Sequence, residues 1–148
     1  MIKIVEGNIL DCSEKIIVHQ VNLEGHMNGG LAKQLSDKYN GLEKNYALSL
    51  KIAELYKIRP LGSTHHYMTQ DNKIIFNCFT QDSNYNTKYN LVKGNFNIVK
   101  LFARKNNLSI AIPYGYGCGI ANGKWDKIYK IIEEVFKDYN VTIYKWEV

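Results

Sequence analysis

Apolar residues gather in short runs, separated by stretches in which they recur every three or four positions. Runs of strand length lie at Ile2–Val5, Ile16–Val21, Ile74–Phe79, Ser109–Pro113 and Val141–Trp146, with a weaker one at Ser63–Met68. These predict strands. Trp125, Ile128, Ile132, Val135, Phe136 and Tyr139 instead step by three and four, giving one apolar stripe of a helix that begins near Lys124. Val92, Phe96, Val99 and Ala103 predict a helix before it. Leu42, Tyr46, Ala53 and Tyr56 predict a third, and Leu31–Tyr39 a short first one. Strands that alternate with helices predict an α/β sandwich, with helices on both faces of a mostly parallel sheet.

Two of the strands end in glycines and lead into a helix. The first such stretch runs from Val18-His19-Gln20-Val21-Asn22 through Asn28-Gly29-Gly30-Leu31-Ala32. The second is Pro113-Tyr114-Gly115-Tyr116-Gly117-Cys118-Gly119-Ile120. A glycine-rich strand end at a helix N-terminus offers bare N–H groups to an anion, most often a phosphate. Such a loop is also what a plain turn looks like; two of them on neighbouring strands suggest a diphosphate held from both sides. In sheets of this kind, ligands bind beyond the carboxyl ends of the strands, where both loops would sit.

At 148 residues the chain is expected to form one domain, residues 1–148. No internal repeat, low-complexity tract or linker interrupts it, and the only prolines are Pro60 and Pro113. Three cysteines (Cys12, Cys78 and Cys118) without CxxC spacing argue for a reducing compartment and against a disulfide framework or zinc site. With no signal-peptide pattern and no membrane-length apolar run, a cytoplasmic location without membrane association is expected. The net charge of +5 raises nucleic acid as a partner, but the lysines are scattered, as on a solvated surface.

Taken in order, these residues resemble a macrodomain, the fold that binds ADP-ribose. The resemblance runs through Gly7-Asn8-Ile9-Leu10, Asn22, Gly29-Gly30-Leu31-Ala32, the second glycine loop, Trp125 and Thr142-Ile143-Tyr144. Gly-Cys-Gly-Ile with Trp five residues later is most similar to the branch holding the terminal ADP-ribose glycohydrolase and the ADP-ribose-1″-phosphate phosphatases. The resemblance implies a three-layer α/β/α sandwich around a six-stranded mixed sheet. It also implies a site of Asn8, Ile9, Asn22, His26, Asn28, Gly29, Gly30, Leu31, Pro113, Tyr114, Gly115, Tyr116, Gly117, Cys118, Gly119, Ile120 and Tyr144.

Within that set, Asn8 stands where the family has an aspartate that accepts from the adenine amino group; the other reading is a turn residue. Tyr144 either flanks adenine or is buried in the last strand. Asn22 either reaches the terminal ribose or caps local backbone. Cys118 either lends its backbone to the diphosphate or, at a lowered pKa, serves as a nucleophile without an adjacent base. The terminal glycohydrolase uses a lysine and an aspartate at positions that are Gln81 and Ala121 here. Neither can form a lysyl adduct or act as acid or base. The remaining acid–base candidates are His19, alternatively a core histidine, and Asp82. His65 and His66 read as surface residues on an edge strand, and no residue cluster has metal-ligand spacing.

The expected function is binding of ADP-ribose or a derivative, with hydrolysis at the terminal ribose as an extension. The alternatives are a non-catalytic reader or sponge of such nucleotides, for example in phage–host defence, and binding of RNA or poly-ADP-ribose. ADP-ribosylated protein or nucleic acid are further candidate partners. The chain is expected to act as a monomer, with no cofactor.

Overall fold

A computed structural model describes residues 1–146. Six strands form one sheet: β1 (Ile2–Glu6), β2 (Ile16–Gln20), β3 (Thr64–Met68), β4 (Ile74–Cys78), β5 (Ile110–Pro113) and β6 (Val141–Lys145). Their order is β1-β6-β5-β2-β4-β3, parallel throughout except that β3 runs against β4. The helices are α1 (Gly30–Lys38), α2 (Leu42–Leu55), α3 (Tyr89–Asn106) and α4 (Trp125–Val135), with a short 3-10 turn at Ile9–Asp11. Among the described residues, no helix is long and apolar enough to cross a membrane.

The central strands explain the layering. All five residues of β4 and the first four of β2 are buried, so neither strand has a polar face. Such strands need cover on both sides. Ile16, Val18, Phe76 and Ile112 face one way, onto Val92, Phe96, Val99, Ile128 and Ile132 of α3 and α4. Ile17, Ile75 and Ala111 face the other way, onto Leu35, Leu42 and Tyr46 of α1 and α2. Two apolar layers therefore lie against one sheet, as the sandwich requires.

Three expectations from the apolar pattern need correction. Helix α4 stops at Val135; Tyr139 lies in the following turn, where its hydroxyl donates to the Leu108 carbonyl at 2.5 Å. Tyr56 caps α2 and is exposed, as are Leu48, Ile52 and Leu55, so the apolar face of α2 is broader than the sheet can cover. His66 is exposed on the edge strand and packs beside Phe76 and Phe102, whereas His65 points to the opposite face and is half-buried. Strand alternation separates the two histidines.

Candidate functional site

The carboxyl ends of β2, β4 and β5 surround a cavity of about 730 Å3. Its floor is His19, Gln20, Val21 and Asn22; the first loop adds Glu24, His26, Met27, Asn28, Gly29, Gly30, Leu31 and Ala32. Pro113, Tyr114, Gly115, Tyr116, Gly117, Gly119, Ile120 and Ala121 supply the opposite wall, and Gln81 and Tyr85 one end. Both glycine loops thus face the same space. Asn8, Ile9, Cys118, Tyr144 and Asp82 are not on its lining.

The first loop is held by side chains that reach back to it. Asn22 donates to the His26 carbonyl at 2.9 Å and accepts from the Glu24 N–H at 2.9 Å. The buried Tyr46 hydroxyl donates to Asn22 and accepts from the Gly25 N–H at 3.1 Å, and Glu43 accepts from the Met27 N–H at 2.6 Å. Asn22 therefore organises its own loop while lining the cavity. Gly29 is the extended cap of α1, and Gly30 has φ +57°, a left-handed backbone that disfavours any side chain.

The second loop is braced from β2 and from the loop after β4. Thr87 Oγ1 lies 2.7 Å from the carbonyls of both Gly117 and Ala121, and Gln20 Nε2 donates to Thr87 Oγ1 at 3.3 Å. Thr80 donates to Gln20 Oε1 at 2.6 Å and meets the Tyr116 hydroxyl at 2.8 Å. Gly117 has φ +70°, and a Cβ there would come within 3.1 Å of Thr87 Oγ1. A Cβ on Gly123 would collide with the Gly117 carbonyl, so this loop packs backbone on backbone. No sequence pattern marks Thr87 or Gly123, because their partners lie far from them along the chain or in backbone atoms.

The candidate chemical groups are mostly quiet. His19 is buried; burial pushes its pKa down to about 4, against the opposing effect of its 2.5 Å bond to Asn77. Its other ring nitrogen, Nδ1, has no partner among the described residues. Burial raises the Cys118 thiol, aided by the nearby Asp126 charge, which removes thiolate character at neutral pH. Asp82 accepts from the N–H groups of Asn84 and Asn86 at 2.9 and 3.0 Å and pairs with Lys88 at 3.4 Å. These contacts, the Asn86 bond foremost, hold its carboxyl below the usual range. Asp82 thus shapes a turn.

Asn8 and Tyr144 lie beyond the β5 side of the cavity. The Asn8 side-chain oxygen accepts from the Leu10 N–H at 3.0 Å and caps the 3-10 turn. Tyr144 is half-buried, with Gly7 packed over its ring, and its hydroxyl donates to Glu14 at 2.5 Å. Gln81 and Ala121, at the positions the glycohydrolase resemblance makes catalytic, do line the cavity. Glu24 and Tyr85 line it too, although neither belongs to a motif that the sequence displays.

No family model matches the chain. An ADP-ribose glycohydrolase, OARD1, from Bos taurus is 22% identical over 143 residues, covering 95% of this chain and 88% of that protein. The macrodomain of Mycobacterium tuberculosis DarG superposes with a TM-score of 0.83 at 23% identity, over 97% of each chain. Thermosipho africanus DarTG, solved in complex with ADP-ribose, superposes with a TM-score of 0.79 at 17% identity, over 97% of this chain and 41% of that one. Superposition on the DarG macrodomain over nearly the whole of both chains shows that this chain has the macrodomain fold.

Proposed function

We propose that this chain binds ADP-ribose, with the diphosphate between the two glycine loops and the terminal ribose toward Gln81 and Tyr85. The observation that carries this reading is the one cavity that both loops line, of a volume usual for small-molecule sites. The fold it shares with a protein solved with ADP-ribose supports the choice of ligand. Adenine then extends past Tyr114 toward Asn8 and Tyr144, where Asn8 already spends one lone pair on Leu10.

The geometry favours a reader or sponge over a hydrolase. Gln81 and Ala121 supply no nucleophile, acid or base to the cavity, Asp82 is committed to its turn, and burial, which pushes the His19 pKa down to about 4, makes His19 a weak base. The unpartnered His19 Nδ1, with Glu24 and His26 on the cavity lining, is what supports a hydrolytic reading. Nucleic-acid binding is less well supported: Lys93, Lys100 and Arg104 of α3 are paired with Glu134 of α4 and with Asp138 in the turn after it, which disperses the positive charge.

Calorimetric titration tests the reading. ADP-ribose is expected to bind at about micromolar affinity, near −8 kcal/mol, with NAD at least about tenfold weaker because the loops leave little room for nicotinamide. Turnover assays on ADP-ribose-1″-phosphate and on ADP-ribosylated protein are expected to show none. NAD binding as tightly as ADP-ribose would reject the ligand assignment, and steady turnover would reject the reader role.

A further inference from the structure

The terminal-ribose end of the cavity is spanned by a side-chain bridge. Sheet order gives the cavity a direction: Pro113 and Tyr114 lie at the β5 side, nearest β6 and β1, whereas Gln81 and Tyr85 lie at the β4 side. A nucleotide with adenine toward Tyr144 therefore points its terminal ribose at Tyr85.

Tyr85 stands at the tip of a braced hairpin. Gln81 pairs with Thr87, the Asp82 N–H donates to the Asn86 carbonyl at 3.0 Å, and the Tyr85 N–H donates to the Asp82 carbonyl at 3.0 Å. The Asp82 carboxylate ties down Asn84 and Asn86 from inside, and Asn122 of the second loop donates to Asn86 Oδ1 at 3.0 Å. Tyr85 itself has φ +63°, an unfavourable backbone for a bulky residue that this bracing sustains. From that tip its hydroxyl donates to the Glu24 carboxylate of the first loop. The bridge thus joins the first loop to the hairpin at one end of the cavity.

We propose that the Tyr85–Glu24 bridge makes the site selective for ADP-ribose whose terminal ribose is unsubstituted, against ADP-ribose carried on a macromolecule. This inference rests on the ADP-ribose reading and deepens it. A peptide or polynucleotide carried on a terminal ribose at this end lies against the bridge. A phosphate there meets the Glu24 carboxylate, while Lys88, the cation of the hairpin, is already paired with Asp82.

Three probes test this by calorimetry: ADP-ribose, ADP-ribose-1″-phosphate and a mono-ADP-ribosylated synthetic peptide. The unmodified protein is expected to bind ADP-ribose at least about tenfold more tightly than either substituted probe. Tyr85→Ala is expected to bring the peptide within about threefold of ADP-ribose, and Glu24→Gln to do the same for the phosphate. Both side chains are solvent-facing, so the fold tolerates these changes. Equal affinity for peptide and ADP-ribose in the unmodified protein, or an undiminished gap in Tyr85→Ala, would overturn the proposal. No binding of ADP-ribose at all is a different result, and would overturn the ligand reading together with this inference.

Discussion

His19 and Asn77 sit opposite each other on adjacent strands, and the polar chain they start runs on to His65 and Asn45. Asn77 Nδ2 donates to His65 Nδ1 at 3.0 Å, so its oxygen is left to accept, and His19 must carry its proton on Nε2. His65 Nε2 then donates to Asn45 Oδ1 at 2.8 Å. The neutral ring suffices for this arrangement, and burial, outweighing the bond to Asn77, penalises a charged one. Its folded pKa of about 4 lies below the ordinary 6.5, so the unfolded chain binds the extra proton between those values. Stability is therefore full above pH 6.5 and is lost as pH falls toward 4, by about 2 kcal/mol at pH 5. His65, also lowered by burial, adds loss of the same sign. Urea denaturation at pH 7.5 and pH 5 should show a smaller pH-dependent loss in His19→Gln than in the unmodified protein. Equal losses would mean that His19 titrates normally in the folded state. The histidine is visible in the sequence; its neutral state is not, because the partner that fixes the tautomer lies 58 residues away.

The loops separate two properties that the sequence presents as one. Gly119 is exposed, with open space where a Cβ would stand and no left-handed backbone to strain, so Gly119→Glu should cost little stability. It nevertheless puts a carboxylate on the cavity wall where a diphosphate is proposed, and ADP-ribose binding should fall by about a hundredfold or more. Thr87→Val makes the opposite trade. It keeps the cavity's charge but removes the hydroxyl between the Gly117 and Ala121 carbonyls, with an expected loss of about 1–3 kcal/mol of stability. Thermal denaturation beside calorimetry reads both; near-native affinity in folded Gly119→Glu would place the anion elsewhere. The strands and helices are legible because buried runs such as Ile16–Val18 and the steps of Val92, Phe96 and Val99 encode them locally. The bracing of the second loop is not legible, since Thr87, Gln20 and Gly123 act through tertiary contacts that carry no local pattern.

For the molecule as a whole, the sheet order places the candidate site. The two glycine loops follow β2 and β5, which are neighbours in the sheet, and the loop carrying Tyr85 follows β4 on the other side of β2. Three segments remote in sequence therefore converge above one strand end, the β4 loop joined to the second glycine loop through Thr87 and Asn86 and to the first through Tyr85. A ligand held by all three ties the two helical layers together through their loops: α1 follows the first loop, and α3 and α4 follow the others. Binding should then stabilise the folded chain by mass action alone, about 2.7 kcal/mol at a ligand concentration of 100 times the dissociation constant. For a chain of this length that is a rise in melting temperature of roughly 5–10 °C. ADP, which lacks the terminal ribose and leaves the Tyr85 end empty, should give a smaller rise at the same concentration. Equal shifts from ADP and ADP-ribose would show that the β4 end of the cavity contributes no binding energy, and that recognition stops at the diphosphate.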